Sequence, residues 1–154
     1  MNGRVVMTIA LLLTLSSTTS TFAADKTGNV LVDMFAWWNE TMKVPGGFTG
    51  QGFSQFFTDD ASIVVNNTEV VRGVDNMVAH FHDIQDNTEY VEIVLPFEEE
   101  FREGNKIFTH HLIRASDNGV PRLSHIMGYA VIEDGKIALV NFLNYTEPAE
   151  QAAP

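Results

Sequence analysis

The chain has 154 residues, 45% hydrophobic and 19% charged, with no cysteine and a formal net charge of −11. Without cysteine, disulfides, thiol nucleophiles and cysteine-ligated metals are excluded, and packing alone must hold the fold. Twenty Asp and Glu against nine Lys and Arg argue against nucleic acid as a partner.

The opening stretch MNGRVVMTIALLLTLSSTTSTFA sets Arg4 before an apolar run from Val5 to Leu15, then Ser/Thr residues, then Ala23 and Ala24. That order predicts a secretory signal over 1–23, cleaved after Ala23, with Ala24 as the alternative, and a secreted or periplasmic location. The apolar run is too short for a stable membrane anchor, which needs roughly 20 residues. One domain is expected over 24–147 and a frayed, Ala/Pro-rich tail over 148–154. With Arg4 removed, eight Lys and Arg face the twenty acids, a formal charge of −12.

In the mature part, Val30, Met34, Trp37 and Trp38 recur at near-helical spacing, which predicts a helix over Asn29 to Met42 that Val44-Pro45-Gly46-Gly47 ends. A short helical segment is expected from Gln51 to Phe57, then a strand from Ala61 to Val65 closed by Asn66 and Asn67. Val74, Met77, Val78, Phe81 and Ile84 form the apolar stripe of a helix from Gly73 to Ile84. Long β-rich runs follow: Thr88 to Phe101, Lys106 to Ala115, Arg122 to Glu133 and Lys136 to Tyr145. They are separated by Glu103-Gly104-Asn105, Asp117-Asn118-Gly119 and the two-residue hairpin Asp134-Gly135. Helices followed by an antiparallel meander predict an α+β fold, with helices on one face of a curved sheet.

Turn lengths predict the register. Closing at Asp134-Gly135 sets Tyr129 opposite Val140, Met127 opposite Phe142 and His125 opposite Asn144. Closing near Asn118-Gly119 sets His110 opposite Met127, Leu112 opposite His125 and Arg114 opposite Leu123. One face then carries Phe108, His110, Arg114, His125, Met127, Tyr129, Phe142 and Asn144, an apolar wall with convergent polar groups that suits a ligand cavity. A closed core with satisfied histidines is the alternative. The opposite face, with Ile113, Ile126, Ile132, Leu139 and Leu143, is too apolar to face water, which predicts a homodimer through the outer sheet surface or a cover by a terminal segment.

Most motifs resolve into structure. His80-Phe81-His82 cannot chelate on a helix, because two residues turn about 200°. His110-His111 fails on a strand, where neighbours face opposite ways. No metal site and no cofactor are expected, and Glu98-Glu99-Glu100 with Glu103 reads as a solvated strand edge. No Gly-x-Ser-x-Gly elbow or phosphate-cradling glycine loop is present. Asp59 and Asp60 read as structural. The sequons at Asn39, Asn66 and Asn144 matter only in a host that glycosylates.

The segment Phe56-Phe57-Thr58-Asp59-Asp60-Ala61, the pair Arg72-Gly73 with its following helix, and Gly128-Tyr-Ala-Val-Ile-Glu-Asp-Gly-Lys-Ile137 together resemble the SnoaL-like, NTF2-like superfamily. The resemblance implies a cone: a curved antiparallel sheet with helices on its concave face. It also implies that Met34, Val65 and Met127 stand where the ketosteroid isomerase-like branch has its Tyr, its carboxylate base and its second acid. None of the three can transfer a proton, which argues against that reaction. Two readings remain. One is an exported module binding a small hydrophobic molecule through Met34, Trp38, Val65, Phe108, Arg114, Met127, Tyr129, Phe142 and Asn144. The other is a lyase, isomerase or cyclase acting on a hydrophobic carbonyl compound, with His110 and His125 as acid and base.

Overall fold

The computed structural model describes residues 28–148; the expected signal segment and the tail beyond Pro148 lie outside them. Helix α1 (Val30–Met42) starts where the Asn29 side chain accepts hydrogen bonds from the N–H groups of Leu31 and Val32, the ordinary use of Asn at an N-cap. Thr49 does the same for the single turn α2 (Gly50–Phe53). Helix α3 (Val74–Asn87) follows Gly73, whose φ of 81° turns the chain out of the preceding strand at a cost only Gly avoids.

Seven strands complete the domain: β1 (Phe57–Val65), β2 (Thr68–Arg72), β3 (Tyr90–Ile93), β4 (Glu99–Glu103), β5 (Lys106–Asp117), β6 (Val120–Glu133) and β7 (Lys136–Thr146). The sheet order is β2-β1-β7-β6-β5-β3, with β4 also pairing β5. The expected α+β cone is what forms, with an open, curved sheet and the helices in its hollow. Rings interlock the helices. Phe53 stacks on Phe48 at 5.5 Å and on Phe81 at 5.2 Å, and Trp37 meets Phe53 edge-on at 5.1 Å. Asn39 ties α1 to the sheet by donating to the Ile93 carbonyl at 2.8 Å and accepting from its N–H at 2.9 Å.

Four features differ from the sequence reading. β2 was not expected; it forms because Asn66 and Asn67, both at positive φ, close a two-residue hairpin that pairs Val65 with Thr68. The run from Thr88 to Phe101 is two strands separated at Pro96, which has no N–H for a ladder; β3 pairs one half of β5 and β4 the other. The sheet is antiparallel except between β1 and β7, which run parallel.

The fourth difference reverses a face. Val131 pairs with Leu139 but Ile132 pairs with Ile137, so Ala138 is an extra residue in β7. From that bulge onward β7 slips by one position. Tyr129 faces Asn141, Met127 faces Leu143 and His125 faces Tyr145, not Val140, Phe142 and Asn144. The β5–β6 register is as expected, with His110 opposite Met127, Leu112 opposite His125 and Arg114 opposite Leu123. At Gly128 the sheet closes so tightly that a Cβ would lie 2.1 Å from the Asn141 carbonyl oxygen.

Candidate functional site

The hollow between helices and sheet holds a partly open cavity of about 240 Å³. Met34, Phe35 and Trp38 of α1 and His80, Phe81 and Ile84 of α3 line one side. His111 and Ile113 of β5, Ile126 of β6, and Val140 and Phe142 of β7 line the other. Val65, Val70 and Asn144 lie on its wall among exposed or half-buried positions, and among the described residues no Asp, Glu, Lys or Arg lines it. A wider cleft of about 470 Å³ lies beside β3 where α1 and α3 end, walled by Glu40, Lys43, Asp86, Glu89 and Glu92. Its walls are charged, whereas those of the cavity in the hollow are almost wholly apolar, so the latter is the better candidate for recognition of a small molecule.

His111 is the polar centre of that interior. The alternation of β5 sends it inward, where it is 1% exposed and packed against Phe35 at 5.1 Å, Phe97 at 5.3 Å and Phe142 at 5.2 Å. Its Nδ1 is 3.1 Å from the Thr109 hydroxyl. Burial among rings, with the neighbouring His110 as a lesser cause, pushes the imidazole down to about 4, so at neutral pH it is an uncharged hydrogen-bonding group. His80, on α3, is likewise lowered by burial, against an opposing pull from Asp83. The cavity therefore offers two neutral imidazoles and the Asn144 amide in an otherwise apolar wall.

No protein-family model matches the sequence, and no curated protein matches it either. Solved structures do match in fold. A protein with a ketosteroid isomerase-like fold from Catenulispora acidiphila, solved with trimethylamine, superposes with a TM-score of 0.59 at 15% identity, over 78% of this chain and 86% of that one. An NTF2-like protein of unknown function from an Exiguobacterium species gives 0.58 at 16% identity, over 77% and 98%. A protein provisionally assigned as a SnoaL-like polyketide cyclase, from a Jannaschia species, gives 0.57 at 12%, over 77% and 83%. The chain has the NTF2-like fold.

Within that fold the residues singled out from sequence divide into two groups. Met34, Trp38, Val65, Phe142 and Asn144 line the cavity. Phe108, His110, Arg114, His125, Met127 and Tyr129 do not; they stand on the convex face, because the inward positions of β5 and β6 are His111, Ile113 and Ile126. The face assignment is corrected accordingly. Ile126, not Met127, takes the inward place at that level of the NTF2-like cone, while Met127 is 51% exposed. His80 and His111 were missed as cavity residues. In the sequence they stand out only as halves of His80-Phe81-His82 and His110-His111, and the signal for His111 is its parity with Ile113, which the bulge at Ala138 obscures.

Proposed function

We propose that this NTF2-like domain binds a small, uncharged, mostly apolar molecule inside the cone, and that it does so after export. The observation that carries this is the cavity of about 240 Å³ with no charged wall residue among the described residues and neutral His111 in its wall. A dry apolar cavity of roughly 150 Å³ takes benzene, so this volume suits a one- or two-ring molecule with a polar substituent near His111. An ionised ligand is disfavoured, since nothing in the wall would compensate its lost hydration. Met34, Trp38 and Phe142 would supply contact area, with Asn144 at the rim.

The reaction alternative shifts from His110 and His125 to His111. An imidazole held at about 4 is a weak base at neutral pH and a good hydrogen-bond partner, which favours binding over acid–base turnover. We further propose a second copy as the cover of the convex face, where Met127 and Leu143 face each other and, with Phe101 and Tyr145, stand exposed.

Native mass spectrometry of protein from its own host would report retained ligand and dimer together. A direct test is thermal stabilisation by 2-naphthol. At one hundred times Kd a ligand adds about 2.7 kcal/mol, and Ile113→Trp, which fills the cavity, should abolish the gain. Stabilisation that survives Ile113→Trp would place the ligand elsewhere, and no stabilisation by 2-naphthol together with no retained ligand would refute the proposal.

A further inference from the structure

On the convex face, across the sheet from the cavity, three titratable side chains stand in line. His110 Nε2 lies 3.3 Å from His125 Nδ1, and His125 Nε2 lies 2.9 Å from Glu147 Oε1. The register accounts for the meeting: Leu112 is opposite His125, so His110, two residues before Leu112 on the same face of β5, is the diagonal neighbour of His125. Glu147 is placed by its own backbone N–H, which donates to the Leu123 carbonyl at 2.8 Å. A carboxylate only accepts, so His125 donates from Nε2, and in the neutral imidazole Nδ1 keeps a lone pair turned toward His110. A carboxylate behind the far nitrogen with the near nitrogen presented is the outer-shell arrangement that orients metal-binding imidazoles.

The spacing fits as well. Two imidazole nitrogens at 2.0–2.1 Å from a tetrahedral ion stand about 3.3 Å apart, the separation of His110 Nε2 and His125 Nδ1. The ring centroids are 5.6 Å apart with 21° between planes, so the nitrogens face each other with the His110 Nε2 proton between them. We propose that His110 and His125, backed by Glu147, bind a divalent late transition-metal ion of the copper, zinc or nickel class. On loading, the His110 proton moves from Nε2 to Nδ1 through solvent, a small swing of the rings turns both lone pairs onto the ion, and no net proton is released while both imidazoles are neutral. Imidazole donors select these ions over magnesium and calcium. Among the described residues no third ligating side chain converges with the pair. His110 is opposite Met127 and His125 opposite Tyr145, so the pair adjoins the contact proposed for a second copy, and water holds the remaining positions where that copy leaves the face open. Glu99 faces His110 from β4, Tyr145 faces His125 from β7, and Arg114 lies further along β5 on the same face. The large negative charge of the chain favours cation approach.

The test is titration of the untagged, folded protein with copper(II) by calorimetry, with electron paramagnetic resonance on the loaded sample. One copper per chain with two nitrogen ligands is expected in the wild-type spectrum, which needs no variant to read. His110→Gln and His125→Gln should each weaken binding at least tenfold, and Glu147→Gln by about tenfold as loss of an outer-shell partner does. His80→Gln should leave it unchanged, and circular dichroism reports whether each variant folds. Absence of stoichiometric copper binding, a spectrum without nitrogen coupling, or equal affinity in folded His125→Gln would overturn the proposal, the last assigning copper to the acidic surface.

Discussion

Acidification from pH 8 to pH 4.5 is expected to weaken the fold through His111. The side chain is 1% exposed, and burial lowers it from 6.5 to about 4, while in the unfolded chain it titrates near its ordinary value. Between those two values the unfolded state holds a proton that the folded state does not, so stability rises with pH across this window and falls as pH drops through it. Above the window the term vanishes. The gap corresponds to about 3 kcal/mol once pH is below both values, and to about 1.4 kcal/mol already at pH 5.5. Urea denaturation at pH 8, 7, 5.5 and 4.5 measures it, with His111→Gln as the reference that cannot titrate at this position. Wild type should lose more stability than His111→Gln on going to pH 4.5, although His80 and the carboxylates act on both alike. Parallel curves for the two proteins would refute the reasoning, since they would mean that the buried imidazole accepts its proton as easily folded as unfolded.

Other perturbations follow from the same packing. Gly128→Ala should cost roughly 3 kcal/mol, the upper end for over-packed sites, because its Cβ would lie 2.1 Å from the Asn141 oxygen and 2.9 Å from Phe142; a denaturant midpoint unchanged from wild type would contradict this. Gln85→Ala removes a clamp in which Nε2 donates to the Met42 and Val44 carbonyls at 2.9 Å each and Oε1 accepts from Gly46 N–H at 3.1 Å. A loss of about 2 kcal/mol is expected, with faster amide exchange after α1 as its signature. Leu143→Glu introduces a charge at an exposed apolar position facing Met127, and should convert a dimer to monomers by light scattering without lowering the monomer's helical content.

Much of the architecture was legible because local chemistry is unambiguous. Asn29 and the 3.6-residue spacing of α1, the apolar stripe of α3, and the turn at Asp134-Gly135 each specify one local structure. The resemblance to the NTF2-like superfamily then pointed to the cone. The candidate site was half legible. Met34, Trp38 and Val65 line the cavity whatever the later strands do, whereas every inward residue of β5 and β6 depended on parity. Both faces of β5 carry apolar residues and one histidine each: Ile107, His111 and Ile113 inward, Phe108, His110 and Leu112 outward. Alternation alone therefore fits either orientation.

What the sequence determined by itself was the main helices, the long β runs and their order, the absence of cysteine chemistry and the negative charge, all of which rest on residue type and near-neighbour spacing, while β2 and the division of the run from Thr88 to Phe101 came only with the structure. Tertiary structure alone decided which imidazole entered the cone. The extra Ala138 shifts β7 by one residue, Phe142 comes to lie opposite Gly128, and the helices cover the face that holds His111, leaving His110 and His125 outside beside Glu147. A bulge is a balance between ladder hydrogen bonds and packing across the whole sheet, and that balance is not written in any one segment of the chain.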